Sequence, residues 1–523
     1  MRGGGRVPRA RPRLEPRHRA HGARRGAPLS PFPLPNCLAR RLGLTDSRSW
    51  PHRASAPQAL AAHGFDVTLL YTGEVEAGAA DLWQQYYTQR YLTLVPLPPS
   101  KVGYDVPEDV GTSHRVYEWL RAQGEAAFDA VHFADHKGVA HFAAVAKHQG
   151  LALRSTELIV HLHAPHMWFK LQALQTVDAL EDLVRDHLET QSAALADFVV
   201  TPSHYMASWA ARSGWGLDAA KTAVLGNPLP AWIRRHLRDP APEAAAVDEL
   251  VYYGRLELRK GLVNFCDALD RLAKQADELP GFSVTFLGRI DHSSAEFSLP
   301  GHLKARAEDY IASRARKWGR GFRWQILKDM DAQARLEYMA KGKRLAVMPA
   351  IMENSPYTVR ECVLAGVPFV ASRVGGVAEL LAMADSARLL VQPYAKPLAL
   401  RLAQALREGV APAGRGPDSA TERDFAAGDK AWVVWHHLLR QKAEAARAQP
   451  ALQPYAELPP VTVTVTTYNN PGLLRQAIDS VRRQTYAGDL QLVVVDDGST
   501  MPEAVAYGEQ LAREFAAMPG DRG

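Results

Sequence analysis

The 523-residue sequence predicts an α/β protein made of two doubly wound lobes with parallel sheets, followed by a smaller α/β unit. Three observations predict this class. Short β-branched runs alternate with longer helical patterns from Ala56 onward, the alternation falls into two successive series, and a proline-rich break precedes a third, shorter series. A chain of this length exceeds one ordinary core, so two or three domains are expected.

Residues 1–55 come first and read as an unstructured extension. As far as Arg53, thirteen arginines stand against Glu15 and Asp46; this gives +11 within a total of +6 and leaves the rest mildly acidic at −5. The segment lacks Lys, is dense in Pro and Gly, and shows neither a helical nor a strand period. It has no unbroken apolar centre for a secretory signal. A transit peptide and an Arg-rich nucleic-acid arm are the competing readings, and the unstructured one, with no nucleic-acid partner, is preferred.

Residues 56–226 form the first lobe, with strands expected at Asp66–Leu70, Ala130–Phe133, Leu158–Leu162, Phe198–Val200 and Ala223–Leu225. Residues 227–445 form the second, with strands at Leu250–Tyr253, Val284–Leu287, Leu345–Met348, Pro368–Ala371 and Arg388–Val391. Glu408 to Asp429 reads as a loop, and Ala431 to Leu439 as a closing amphipathic helix with Trp432 and Trp435 on one face. A proline-rich linker at 446–459 leads to a unit at 460–523, with strand Val461–Thr467, a helix from Gly472 to about Arg483, and strand Gln491–Val495. No stretch approaches the roughly 20 apolar residues that span a bilayer. Cys37, Cys266 and Cys362 are widely spaced with no CxxC, which suits a reducing compartment. A cytoplasmic location is expected, with peripheral membrane contact as its variant.

Two clusters carry chemistry. Glu353-Asn-Ser-Pro-Tyr-Thr-Val-Arg-Glu361 begins just after a strand, with Ser355 as expected N-cap and Pro356 as first helical residue. The helix amides would face the crevice at the carboxyl edge of the sheet, a natural anion site. Upstream, Gly254-Arg255 and Lys260-Gly261 form a strand-to-helix turn with fixed cations. A leaving pyrophosphate gains negative charge as a glycosidic bond breaks, and such cations stabilise it. Two carboxylates at different depths can bind hydroxyls of two sugar rings.

Over roughly residues 57–440 these motifs, with Thr201-Pro-Ser203, Asn227-Pro228 and Phe286-Leu-Gly288, resemble glycosyltransferase family 4 and its GT-B relatives. The resemblance implies two Rossmann-like lobes, a nucleotide-diphosphate sugar as donor, a glycan or lipid-linked acceptor, retention of configuration, and no metal or other cofactor. It implies that Arg255 and Lys260, at the Gly254 turn, hold the diphosphate with Ser355 and Pro356. Glu353 would take the transferred sugar, Glu361 the ribose, and His163 would line the donor-sugar pocket, making Glu353 and His163 the catalytic pair.

Beyond the linker, Tyr468-Asn469 and Val493-Val-Val-Asp496-Asp497-Gly-Ser499 resemble the opening of glycosyltransferase family 2, a GT-A fold. This implies a vestigial nucleotide site at Tyr468, Asp496 and Asp497, needing a divalent cation only in a complete domain. The unit is expected to be incomplete and the first lobe to lack its first strand. A fragmentary nucleotide-sugar-binding protein is therefore the alternative function. A metal-dependent hydrolase built on His161, His163 and His166 is the third reading, and it leaves both charged clusters without a role. Two transferase types on one chain suggest surface polysaccharide biosynthesis.

Overall fold

The computed structural model describes residues 36–39, 60–72, 79–97, 106–172, 175–227, 231–238, 243–289, 297–298, 304–319, 321–328, 330–414, 422–448 and 458–517. The chain divides into two compact units, Met1–Ala448 and Gln449–Gly523. Apart from 36–39, the expected extension of residues 1–55 lies outside the described residues.

In the first lobe, β1 (Asn36–Ala39), β2 (Asp66–Tyr71) and β3 (Leu92–Pro96) form one parallel sheet, with helix α1 (Ala79–Thr88) between β2 and β3 in the chain. After α2 (Glu108–Gln123) a second parallel sheet follows in the order β4 (Ala130–Ala134), β5 (Glu157–His161), β6 (Phe198–Thr201) and β7 (Thr222–Val224). Helices α3 (His141–His148), α4 (His166–Gln172), α5 (Leu180–Leu195) and α6 (His204–Arg212) connect these strands. β1 lies beside β4, the first strand of the second sheet.

The expectation that the first strand is missing is corrected here. Asn36–Ala39 runs parallel to β2, with Asn36 opposite Asp66 and a register shift before Leu38. The segment Asn-Cys-Leu-Ala holds no β-branched residue and so carries no strand pattern of its own. Its position is set by the unpaired backbone edge of β2, which needs a ladder partner.

The second lobe opens with β8 (Glu249–Tyr253), every residue of which is buried, as befits a strand covered on both faces. It continues through α7 (Leu262–Ala273), β9 (Ser283–Leu287), the short pair β10 (Phe297–Ser298) and β11 (Lys304–Ala305), α8 (Ala307–Ala315), β12 (Arg323–Leu327) and α9 (Ala332–Met339). Then come β13 (Arg344–Met348), α10 (Tyr357–Ala365), β14 (Phe369–Ser372), α11 (Met383–Leu389), β15 (Leu390–Val391) and α12 (Ala395–Glu408). The sheet order β12-β9-β8-β13-β14-β15 is parallel throughout. Arg388 and Leu389, expected to start a strand, instead end α11, because Arg388 pairs with Asp385 one turn back at 2.6 Å.

Helix α13 (Glu422–Arg447) begins inside the stretch expected to be a loop as far as Asp429. It returns to the first lobe, where Trp432 and Leu439 pack on Ala130, Ile159 and Val200 of β4, β5 and β6. Lys442 pairs with Glu157 at 2.9 Å and Arg447 with Asp129 at 2.7 Å. Tertiary burial of the Trp face therefore stabilises a helix whose start has weak local signals.

The second unit contains β16 (Val461–Thr467), α14 (Pro471–Arg482), β17 (Leu490–Asp496) and α15 (Pro502–Ala516), the last not anticipated from sequence. The two strands pair in parallel, and Leu474, Ile478, Tyr507 and Leu511 form the small core. Among the described residues no helix is long and apolar enough to cross a membrane.

Candidate active site

Chain order places β9 on one side of β8 and β13 on the other. Loops leaving the carboxyl ends of β8 and β13 therefore diverge and leave a crevice between them, the usual ligand position of an open parallel sheet. The β8 loop supplies Gly254 to Gly261, and the β13 loop supplies Pro349 to Pro356. A cavity of about 340 Å³ opens there, within the ordinary range for a small-molecule site.

The two loops interlock. Gly261 has φ +79°, and a Cβ on it would lie 1.8 Å from the Pro349 carbonyl oxygen, so only glycine permits this approach. Ile351 donates its amide to the Arg259 carbonyl at 2.9 Å. The buried Tyr252 hydroxyl lies 2.7 Å from the Arg255 carbonyl and 3.2 Å from that of Lys260, cinching the turn that carries the cations.

Gly254, Arg255, Lys260, Glu353, Ser355 and Pro356 all line this cavity, and His163 of the first lobe lines it from the opposite side. Lys260 forms a short ion pair with Glu353, whose other oxygen is 3.7 Å from Arg259. Burial pushes the Glu353 carboxyl up, but Lys260 and Arg259 together hold it below the usual carboxylate range. Burial likewise lowers the Lys260 ammonium from its ordinary value, against the pull of Glu353. Glu257 bridges Arg255 at 3.2 Å and Arg259 at 3.0 Å.

Two expectations are corrected. Pro356, not Ser355, takes the N-cap position of α10, with ψ 125° and no side-chain cap. Proline supplies the fixed φ without an amide to satisfy, so the Ser355 hydroxyl is released and has no hydrogen-bond partner among the described residues. Glu361 does not line the cavity. It is buried behind Tyr253, whose hydroxyl donates to its Oε2 at 2.7 Å, and burial raises its carboxyl above the usual range. Tyr253 thus presents to the crevice where Glu361 was expected.

Arg259, Arg335, Tyr253 and Asn354 line the cavity without having been assigned a role from sequence. Arg335 comes from α9, and its Nε is buried without a hydrogen-bond partner among the described residues. The separation of α9 from both motifs gave no sequence signal, whereas Arg259 sat inside the cationic motif. Arg255, Arg259, Lys260 and Arg335 oppose Glu353 and the adjacent Glu257, a balance of +2 among these groups. Such a pocket suits a dianionic diphosphate.

The loop that carries His163 is shaped by buried acids. Asp135 Oδ2 accepts the amides of His163 and Ala164, both at 2.8 Å, and Glu189 accepts those of Lys137 at 2.8 Å and His166 at 2.6 Å. Burial pushes Asp135 up to about 7, against these hydrogen bonds. The three histidines of the hydrolase reading have separate partners: His161 bonds His132 at 2.7 Å, His166 bonds Asp182 at 2.7 Å, and His163 faces the cavity. Among the described residues, no group of three or more His, Cys, Asp or Glu side chains is arranged to hold a metal.

In the second unit, Asp496 accepts the Ser499 hydroxyl at 2.6 Å and amide at 3.0 Å, closing the turn after β17. Tyr468 is exposed, and Asn469 accepts the Thr500 and Met501 amides, each at 2.8 Å.

Residues 50–228 match the description "Glycosyl transferase 4-like domain", residues 235–415 match "Glycosyl transferases group 1", and residues 462–517 match "Glycosyl transferase family 2". No curated protein matches the chain in sequence. The fold is similar to that of sucrose-phosphate synthase from Thermosynechococcus elongatus, at 18% identity and TM-score 0.50, over 79% of this chain and 98% of that one. It is similar as well to the UDP-forming α,α-trehalose-phosphate synthase from Burkholderia vietnamiensis, at 15% identity and TM-score 0.50, over 78% and 100%. The α,α-trehalose 6-phosphate synthase from Burkholderia multivorans aligns at 13% identity and TM-score 0.51, over 80% and 99%. With a 4-like domain on one side of the crevice, a group 1 domain on the other and the sheet order between them, the chain is a GT-B glycosyltransferase that carries a family 2 segment at its C-terminal side.

Proposed function

We propose that the chain transfers a glycosyl group from a nucleoside-diphosphate sugar to a glycan or lipid-linked acceptor, with retention of anomeric configuration, in the crevice between its lobes. The observation that carries this reading is the convergence of Arg255, Lys260, Glu353 and the start of α10 on one cavity.

Arg255 and Lys260 bind the diphosphate, and the N-terminal amides of α10 add a positive dipole end. As the bond from the anomeric carbon to the phosphate oxygen breaks, negative charge grows on the leaving diphosphate. Lys260 lines the cavity while paired with Glu353, so its charge is held beside the place where that negative charge grows. Glu353 binds hydroxyls of the transferred sugar and His163 borders the same end. Tyr253, backed by Glu361, faces the ribose. The roles of Arg255, Lys260, Glu353 and His163 follow the family resemblance, whereas Tyr253 takes the ribose side that the resemblance gives to Glu361. A vestigial nucleotide contact at Tyr468 and Asp497 follows the second resemblance, and a cytoplasmic location, with peripheral membrane contact as its variant, follows the widely spaced thiols. Asp496 is already engaged by Ser499.

The test is donor hydrolysis and transfer by the wild type beside Glu353→Ala and Lys260→Ala, with UDP-, GDP- and ADP-sugars as donors. Losing one such contact should slow turnover by about 100-fold or more. Wild-type turnover no faster than that of the two variants would favour a binding protein instead.

A further inference from the structure

Every group expected to hold the diphosphate belongs to the second lobe, whereas His163 belongs to the first. The sugar end of the cavity therefore exists only while the lobes are held together, and Asn354 makes hydrogen bonds that hold them at that point, beside the Tyr205 hydroxyl, 3.0 Å from the Met352 sulfur. It follows Glu353 directly and is buried. Its side chain leaves its own lobe: Nδ2 donates to the His163 carbonyl at 2.9 Å and lies 3.4 Å from that of Leu162, while Oδ1 accepts a short hydrogen bond from the Ser203 hydroxyl. Both ends of the carboxamide are thus used, and every partner is in the first lobe.

A second clasp lies alongside. The Glu379 carboxylate, from the second lobe, accepts the His204 and Tyr205 amides at 2.7 Å each, capping α6 of the first lobe. Ser203, the N-cap residue of α6, accepts the Met206 amide at 3.1 Å, so both clasps act on the same helix start. Gly376 lets the surfaces meet, since a Cβ there would lie 2.2 Å from the Asn354 carbonyl oxygen and 2.9 Å from the Ser203 Cβ.

We propose that Asn354 is a positioning residue that latches the two lobes and sets Glu353 against His163, with Glu379 as its accessory clasp. Its catalytic consequence rests on the reading of Glu353 and His163 as donor-sugar contacts; the latch itself does not. A nucleoside diphosphate can bind the second lobe alone, so loss of the latch should spare nucleotide affinity and depress the chemical step.

The experiment compares the full wild-type chain with Asn354→Ala, Asn354→Asp and Glu379→Gln. Amide hydrogen exchange of residues 160–166 and 203–206 is measured without ligand. UDP, GDP and ADP binding is measured by calorimetry, and kcat and KM with the sugar donor that the wild type turns over. The expected result for Asn354→Ala is at least tenfold faster exchange in both segments, nucleotide affinity within threefold of wild type, and at least a tenfold loss of kcat with little change in KM. Glu379→Gln, at an exposed position that should not threaten folding, should speed exchange at 203–206 by a smaller factor. Unchanged exchange in both Asn354 variants would overturn the latch, as would a loss of nucleotide affinity equal to the loss of kcat. If the wild type bound none of the three nucleotides, the donor-site reading would fail, while the exchange data would still decide whether Asn354 latches the lobes.

Discussion

Replacing Lys260 by Met tests the electrostatic balance at the centre of the site. Glu353 is 8% exposed, and burial alone would push its carboxyl upward; Lys260 is the first of the cations that reverse this. Losing a charge-assisted hydrogen bond costs about 1.5–3 kcal/mol, and stranding one member of a fully buried pair about 3–5 kcal/mol. The Lys260 side chain is 21% exposed and Arg259 remains 3.7 Å from Glu353, so the loss should lie near 2–3 kcal/mol at pH 8. In the wild type the folded pKa of Glu353 is depressed. Its contribution is therefore present above the ordinary carboxylate value and lost as pH falls through the folded one. In Lys260→Met burial dominates and the sign reverses: the carboxyl is tolerated at low pH and costs stability as pH rises through its raised value. Urea unfolding at pH 5 and pH 8 should show a larger loss at pH 8, and adding Glu353→Gln should recover much of it. An equal loss at both pH values, with strictly additive substitutions, would refute the reasoning.

Two other outcomes follow from geometry elsewhere. Gly375 has φ +52°, and a Cβ would lie 1.7 Å from the Glu353 carbonyl oxygen, so Gly375→Ala should destabilise by more than about 2 kcal/mol and displace Glu353. Thermal unfolding and donor turnover check this, and wild-type values for both would contradict it. His436 of α13 has Nε2 2.9 Å from His132 Nε2 and Nδ1 2.6 Å from the Trp432 carbonyl; with Nδ1 donating to that carbonyl, Nε2 accepts from His132 while the imidazole is neutral. Burial lowers its pKa to about 4, so its contribution is complete above the unfolded value near 6.5 and lost as pH falls toward 4, a change of about 3 kcal/mol. His436→Asn should unfold in urea with a shallower acid limb than the wild type, and parallel limbs would exclude His436 as its source.

Much of the second lobe was readable because its strands are buried on both faces, which forces continuous apolar runs such as Leu250–Tyr253 and Leu345–Met348 between helical segments. The turns after them were readable too, since only a few residue types suit a cation-bearing loop or the start of a helix. β12 escaped because Arg-Trp-Gln-Ile-Leu lies at the sheet edge with its first three residues exposed, and β1 because it owes its strand geometry to its neighbour.

The composition of the site shows the same division. Local chain chemistry, an alternation of strands and helices with glycine and charge at their junctions, determined the class of fold and put Arg255, Lys260 and Glu353 on adjacent loops. Tertiary packing decided that Tyr253 screens Glu361 and that Asn354 reaches into the other lobe. Those outcomes depend on partners up to 192 residues away in the chain, and a local pattern holds no information about which distant atom fills a given hydrogen bond.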